Sequence, residues 1–240
     1  MSTFEASLQR REEVAQGTMA FHFEKPAGFR FKPGQAIDIV VPGAPTLDTG
    51  GDRHAFSIAS APFQDELVIA TRMRDSPYKR ALSALSIGTL VKLDGPFGSL
   101  ALHNNRARPA VFIAGGIGIT PFMSILRQAT KDQLPQRMIL LYSNHRPEDA
   151  AFLVELQQLA RENSNLQLIA TMTQMEKSRA PWDGGTGPID EHLVIRVCGK
   201  LPAPICYLVG PPGMVASMRE TLSAAGVNDD DIRSEEFYGY

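Results

Sequence analysis

Residues Val111–Leu126 read VFIAGGIGITPFMSIL, and this stretch sets the organisation of the chain. Val111 to Ala114 is a short apolar run rich in β-branched residues. Gly115, Gly116 and Gly118 interrupt it, and Thr120-Pro121 opens a second apolar run. The pattern predicts strand, glycine turn, helix, with Thr120 as N-cap and Pro121 at the first helical position, where its missing N–H costs nothing. Phe122, Ile125, Leu126 and Ala129 follow at helical spacing and define a face turned towards a sheet.

A helix start exposes N–H groups without intrahelical partners and carries partial positive charge. Glycines remove the Cβ atoms that would hold a ligand off, so such a turn can seat a pyrophosphate on bare amides. Gly116-Ile117-Gly118 supplies only the first half of a G-x-G-x-x-G fingerprint, because Pro121 stands where the third glycine belongs. Alone, the stretch reads either as a structural turn or as a phosphate cradle.

The rest of the chain narrows the choice. Its 240 residues allow two domains of ordinary size, and the composition, 43% hydrophobic and 21% charged, is that of a globular protein with a sizeable core. A formal net charge of -2 leaves no electrostatic footprint for nucleic acid or an anionic membrane. No apolar run approaches the ~18 residues of a membrane span, and the polar start MSTFEASLQRREE is not a signal peptide, so a cytoplasmic protein is expected. Cys198 and Cys206 are the only cysteines, too few for a four-thiolate iron–sulfur cluster or a four-cysteine zinc site, and no metal site is expected. Cys206, in an apolar run, reads as a buried, inert thiol.

From Val14 to about Leu102 the signals are short strands, at Met19–Phe23, Ile37–Val41, Phe56–Ala59, Leu67–Thr71 and Thr89–Leu93, separated by turn residues that include Pro33-Gly34, Pro42-Gly43, Gly50-Gly51 and Gly88. This is the spacing of an antiparallel β-barrel or sandwich. One helix interrupts it, capped by Asp75 or Ser76, with Pro77 in the first turn and Leu82 and Leu85 facing inward. Polar His103–Pro109 reads as a connection, which places the β domain at residues 1–103 and a second domain at 104–240.

In the second domain strands alternate with helices. Strands are expected at Val111–Ala114, Met138–Tyr142, Leu166–Thr171, Ile205–Val209 and near Ser234–Phe237. The clearest helix spans Pro147–Arg161, with Phe152, Leu156 and Leu159 on one face. Continuous apolar strands point to a doubly wound parallel sheet, in which ligands sit beyond the strand C-termini.

Several motifs then fall in order. Phe31-Lys32-Pro33-Gly34-Gln35, His54-Ala55-Phe56-Ser57-Ile58-Ala59-Ser60, Gly95-Pro96-Phe97-Gly98, Gly115–Pro121, Val209-Gly210-Pro211-Pro212-Gly213-Met214 and Glu235-Glu236-Phe237 run through nearly the whole chain. Together they resemble the FxPGQ, RxYS, GPxG, nicotinamide-loop, CGPxxM and ExF segments of the ferredoxin-NADP reductase family of flavoproteins.

The resemblance implies FAD on the β domain and NADH or NADPH as hydride donor on the α/β domain. Phe56 would pack on the flavin ring, the Ser57 hydroxyl would reach flavin N5, and Ile58 would line the same strand end. Where the family has arginine two residues before the aromatic, this chain has His54, preceded by Arg53, and either could meet the flavin pyrophosphate. Arg72, Arg74, Ser76 and Lys79 surround the short helix where the family holds its flavin phosphates. Gly115, Gly116, Gly118, Thr120, Pro121, Gly210 and Pro211 would hold the nicotinamide nucleotide. Arg146 stands where relatives distinguish NADP from NAD, which stays open. Glu235 and Phe237 form the catalytic end, with Phe237 or Tyr240 covering the flavin. Val209 replaces the family's cysteine.

The implied activity is a flavin-dependent NAD(P)H reductase that feeds a separate acceptor: a ferredoxin, a flavodoxin, a haem protein or a small oxidant. Two other readings stand beside it. One is a non-catalytic or electron-transfer subunit of a larger complex. The other is a flavin-free dehydrogenase, which needs a general base that the scattered His22, His54, His103, His145 and His192 do not supply. Oligomeric state is not legible.

Overall fold

The computed structural model describes residues 2–44 and 53–238; Gly50-Gly51 and Tyr240 lie outside the described residues. The first half contains strands β1 (Ser2–Ala15), β2 (Thr18–Glu24), β3 (Ala36–Val40), β4 (Arg53–Ser57) and β5 (Glu66–Arg72), helix α1 (Pro77–Ala84) and strand β6 (Leu90–Phe97). They form one antiparallel sheet in the order β4-β3-β6-β1-β2-β5. The chain leaving β4 closes it: Ala59 N–H donates to the Val68 carbonyl at 2.7 Å, and Val68 N–H to Ser60 Oγ at 3.0 Å. Closure removes the unpaired edge that an open sheet would present.

The core of this half is apolar, built from Leu8, Phe21, Phe23, Ile37, Ile39, Leu67, Ile69 and Leu93, and α1 covers it with Tyr78, Leu82 and Leu85. Ser76 is the N-cap of α1, accepting the Lys79 backbone N–H at 3.2 Å, and Pro77 follows at the first position. The sequence pattern missed β1. Its second half, Gln9-Arg10-Arg11-Glu12-Glu13, is exposed and charged, so no apolar alternation marks it, yet it pairs with β2 along Leu8–Ala15. β4 also begins three residues before the expected Phe56, with an exposed Arg53-His54-Ala55.

The second half contains β7 (Ala110–Gly115), α2 (Thr120–Lys131), β8 (Met138–Asn144), α3 (Leu153–Glu162), β9 (Leu166–Met172), a short β10 (Gly185–Thr186), α4 (Glu191–Cys198), β11 (Ile205–Gly210), α5 (Pro212–Ala224) and β12 (Ile232–Glu236). Its sheet is parallel throughout, in the order β10-β9-β8-β7-β11-β12. Val111, Ile113, Ile139, Leu141, Cys206 and Leu208 meet Val194, Val215 and Leu222 of the helices in a core of their own.

Three expectations are corrected here. Thr120 is not an N-cap: a 3-10 turn at Gly116–Ile119 runs straight into α2, so Thr120 is the first α-helical residue and Pro121 the second. The helix expected over Pro147–Arg161 is split. Pro147–Asp149 forms a separate 3-10 turn, Phe152 takes a left-handed conformation at φ 60°, and α3 begins only at Leu153. Phe152 therefore packs from outside the helix it was expected to share with Leu156 and Leu159. His103 is no solvated linker residue but a buried one: its backbone N–H and Nδ1 both meet the Tyr207 hydroxyl, at 2.9 and 2.8 Å.

The contacts define two compact units. One runs to Ala101 and takes in Thr120–Gln128; the other comprises Leu102–Ile119 and the chain from Ala129 onward. Within the first unit, the Ser124 hydroxyl donates to the Ser60 carbonyl at 2.6 Å and the Arg127 guanidinium to the Ala59 carbonyl at 2.7 Å. α2 is thus buried on more than its Phe122–Ile125–Leu126 face: Met123 and Ser124 are also fully covered.

Candidate functional sites on the two units

In the β unit the candidate residues gather at β4 and α1. Side chains alternate along a strand, so Arg53 and Ala55 share one face and His54 and Phe56 the other. On the first face Arg53 is already committed. Its guanidinium pairs with Asp94 and lies 3.6 Å from Asp38. Asp38 and Asp94 are direct cross-strand partners on β3 and β6, and like charges so placed repel unless a cation bridges them. Burial and the Asp94 charge push the Asp38 carboxyl up, and Arg53 draws it back down.

On the other face His54, Phe56 and Tyr78 form a ring cluster. His54 and Tyr78 centroids are 4.2 Å apart, Phe56 and Tyr78 6.0 Å. The buried Tyr78 is held by its hydroxyl, which donates to the Ile39 carbonyl at 2.9 Å. Beside it Lys79 is half-buried, and the charge acting on it is Arg74's, of the same sign; burial first and Arg74 second lower its pKa. Though exposed at its edge, the His54 imidazole is likewise held below its ordinary range, by partial desolvation and then by Lys79, with Asp38 opposing. Among the described residues the carboxylate acting on this group is Asp38, which already meets Arg53, and cations so gathered suit an anion. Ser57 ends β4 as the strand turns inward, with its side chain buried, and Ile58 is fully buried, its N–H donating to the Gln35 carbonyl at 2.9 Å. Arg72 ends β5 and Ser76 is occupied as the helix cap.

In the α/β unit the order β8-β7-β11 makes the β7–β11 boundary the switch point of the sheet, where the chain turns to opposite sides. Ligands of such sheets bind at the carboxyl ends there. Gly115 ends β7, Gly210 ends β11, and Pro211 follows it; Phe237, just past β12, donates its N–H to the Gly210 carbonyl at 3.0 Å. The candidate residues of this unit converge, but the glycines have separate tasks. A Cβ on Gly115 would run into Met214 Sδ and one on Gly118 into the Val209 carbonyl, so both serve close packing of the protein on itself. Gly116 differs: its φ is +53° and nothing lies within 4 Å of its missing side chain. Only there does the turn offer bare backbone, which narrows the expected cradle to one glycine.

Glu235 is half-buried beside Val209, its β11 partner, and burial raises its pKa. Arg146, beyond β8, is held bidentate by Asp149, Nε–Oδ2 at 2.8 Å and Nη2–Oδ1 at 2.7 Å. Neither Tyr78 nor Glu148 carries a signal in the sequence pattern. The Glu148 carboxylate accepts from Arg179 N–H at 2.8 Å, Ser178 O–H at 2.8 Å and Ala180 N–H at 3.2 Å, and so ties the segment after β9 to the end of β8. Trp182 packs in that segment, its indole N–H donating to the Gly185 carbonyl at 2.8 Å. Among the described residues no group of His, Cys, Asp and Glu could hold a metal ion, and no helix is long and apolar enough to cross a membrane.

Residues 112–220 match the family model described as the oxidoreductase NAD-binding domain. The chain is 29% identical over 220 residues to the reductase component of propane 2-monooxygenase from Rhodococcus jostii, covering 89% of this chain and 57% of that protein. It is 28% identical over 226 residues to ferredoxin–NADP reductase B of Sorangium cellulosum, covering 90% of each. The chain spans about three-fifths of the length of the first curated relatives it matches. Its fold matches the crystal structure of a ferredoxin NADP+ reductase from Neisseria gonorrhoeae with bound FAD and NADP, with a TM-score of 0.79 at 22% identity over 98% of both chains.

Proposed function

We propose that this chain, which belongs to the ferredoxin-NADP reductase-like family, is a flavin-dependent NAD(P)H reductase that hands electrons to a separate acceptor. The observation that carries the reading is the face of β4 and α1, where His54, Lys79 and Arg74 gather beside an aromatic cluster and, among the described residues, no carboxylate pairs with Lys79. A cluster of aromatic rings beside gathered cations suits a flat heteroaromatic ring with a pyrophosphate tail.

In this reading His54 and Lys79, with Arg74 and Arg72 near them, hold the pyrophosphate of FAD, and Phe56 packs on the ring. When bound, FAD supplies an acceptor for hydride from reduced nicotinamide and a donor of single electrons. The chain's own task is then to bind and orient. Ser57 presents a hydroxyl at the end of β4 to hydrogen-bond flavin N5. On the α/β unit, the open backbone at Gly116 takes the pyrophosphate of NAD(P)H, with Gly115, Gly118, Gly210 and Pro211 shaping the turn. Phe237 is held at the same carboxyl edge by Gly210, and Glu235 stands two residues before it. No acid–base pair is required, because proximity carries most of the rate.

The acceptor is an electron-transfer protein or a small oxidant. Relatives named as reductase components of monooxygenases point to an oxygenase as one such partner. Loading the protein with FAD and passing it through gel filtration tests the reading. Stoichiometric flavin retained by the wild type and lost in Lys79→Glu supports it; a protein that retains no flavin overturns it.

A further inference from the structure

We propose that His54 is the residue that meets the flavin pyrophosphate and that it does so as an imidazolium, so that the chain takes up a proton on binding FAD and holds the cofactor more tightly in acid than in base. This rests on the flavin reading above and adds to it which residue acts and in what state.

The strand geometry decides between the two cations that the sequence offered. Arg53 lies on the face of Asp38 and Asp94 and is consumed by them. His54, one residue on, lies on the face of Phe56 and Tyr78, 4.2 Å from the Tyr78 ring and close enough to Lys79 for the ammonium to act on it. Where the motif of the family has a permanently charged guanidinium, this chain has a group that titrates in the physiological range.

The charges facing His54 fix the sign. From α1, Lys79 opposes its protonation, and Arg74 stands behind Lys79; Tyr78, from the same helix, covers one side of the ring. From β3, Asp38 favours protonation, but Arg53 already neutralises it. Burial and Lys79 thus hold the His54 imidazole towards its neutral form. A pyrophosphate placed among His54, Lys79 and Arg74 reverses the balance, adding negative charge beside the cations that oppose protonation. Binding and protonation are then linked: each strengthens the other.

The test is a titration of the flavin-free full chain with FAD, followed by fluorescence quenching, from about pH 5 to about pH 8. FAD is the suitable probe because its pyrophosphate keeps its charge throughout that range. Wild-type affinity should weaken with rising pH, by up to about tenfold per unit where one proton is taken up. His54→Arg should bind FAD with a flat profile and outdo the wild type at the alkaline end; His54→Gln should be flat and weak. Circular dichroism confirms that each variant is folded. A slope that survives unchanged in His54→Gln or His54→Arg overturns the assignment of His54 alone. Failure of the wild type to bind FAD at any pH overturns the flavin reading as well.

Discussion

His54 and Tyr78 stand with ring centroids 4.2 Å apart, and Tyr78 is fixed from behind by a 2.9 Å hydrogen bond to the Ile39 carbonyl. An imidazole beside the start of α1 is thereby tied to the barrel core. Tyr78→Phe removes one hydrogen bond to a buried carbonyl and should cost about 1–3 kcal/mol of unfolding free energy. Tyr78→Ala also removes a buried ring and should cost about 3–5 kcal/mol. Urea denaturation checks both, and equal effects of the two substitutions would contradict this packing.

The glycines of the β7–α2 turn should separate stability from binding. Gly118→Ala drives a Cβ into the Val209 carbonyl and should destabilise the α/β unit by about 1–3 kcal/mol. Gly116→Ala meets no atom within 4 Å; its left-handed φ should cost only about 1–2 kcal/mol. The methyl group would then stand where the coenzyme approaches, so NAD(P)H affinity should fall well beyond the stability loss. Thermal melts and coenzyme titrations of the two variants distinguish these outcomes.

Ser57 offers a second separation. If its hydroxyl bonds the flavin nitrogen that takes up hydride, Ser57→Ala should slow flavin reduction by about ten- to a hundredfold, the equivalent of ~1.5–3 kcal/mol for a hydrogen bond to a charging atom. Bound flavin and coenzyme affinity should change little. Single-turnover reduction measured beside flavin retention checks this.

Glu148 gives a pH dependence whose sign is fixed by its partners. Hydrogen bonds from Arg179 N–H, Ser178 O–H and Ala180 N–H bring its carboxyl down to about 2. A group depressed in the folded state stabilises above its unfolded value of 4.5, and the contribution is lost as pH falls through about 2. Segment 178–180 should therefore stay ordered at neutral pH and loosen in acid. Glu148→Gln should speed amide hydrogen exchange at Arg179 and Ala180 near neutral pH without altering exchange in β7.

The two cysteines should be silent. Cys198 and Cys206 are free and buried, and the hydrogen bond with Cys198 together with burial pushes the Cys206 thiol far above the ordinary range. A chromogenic disulfide reagent should label neither in the native protein and both after denaturation.

Much of the architecture was legible because it rests on local patterns. The apolar runs at Val111–Ala114, Met138–Tyr142 and Ile205–Val209 are strands buried on both faces, and such strands announce themselves. β1 was hidden because half of it faces water as the charged run Arg10-Arg11-Glu12-Glu13, whose side chains find partners across the sheet, Arg10 with Glu66 and Glu12 with the His22 ring. α3 was placed too early because Pro147, Glu148 and Asp149 look like a helix start, whereas their side chains are engaged elsewhere: Asp149 with Arg146, Glu148 with the segment 178–180. In the candidate site, the motif names residues but not the faces on which the strands place them. That Arg53 and His54 face opposite ways follows from strand periodicity alone. That Asp38 and Asp94 wait on one of those faces needs the register of three strands. Likewise, Gly115 and Gly118 pack against β11 and the residues beyond it, a strand some ninety residues away in the chain, which no local reading could supply.

The most direct measurement is anaerobic mixing of the FAD-loaded protein with NADH and with NADPH, following the visible absorbance of the flavin. Rapid bleaching by at least one coenzyme, with colour returning on addition of a one-electron acceptor, is the expected result and fixes the coenzyme preference. A flavin that stays oxidised with both coenzymes would contradict the reductase reading and leave an electron-transfer subunit in its place.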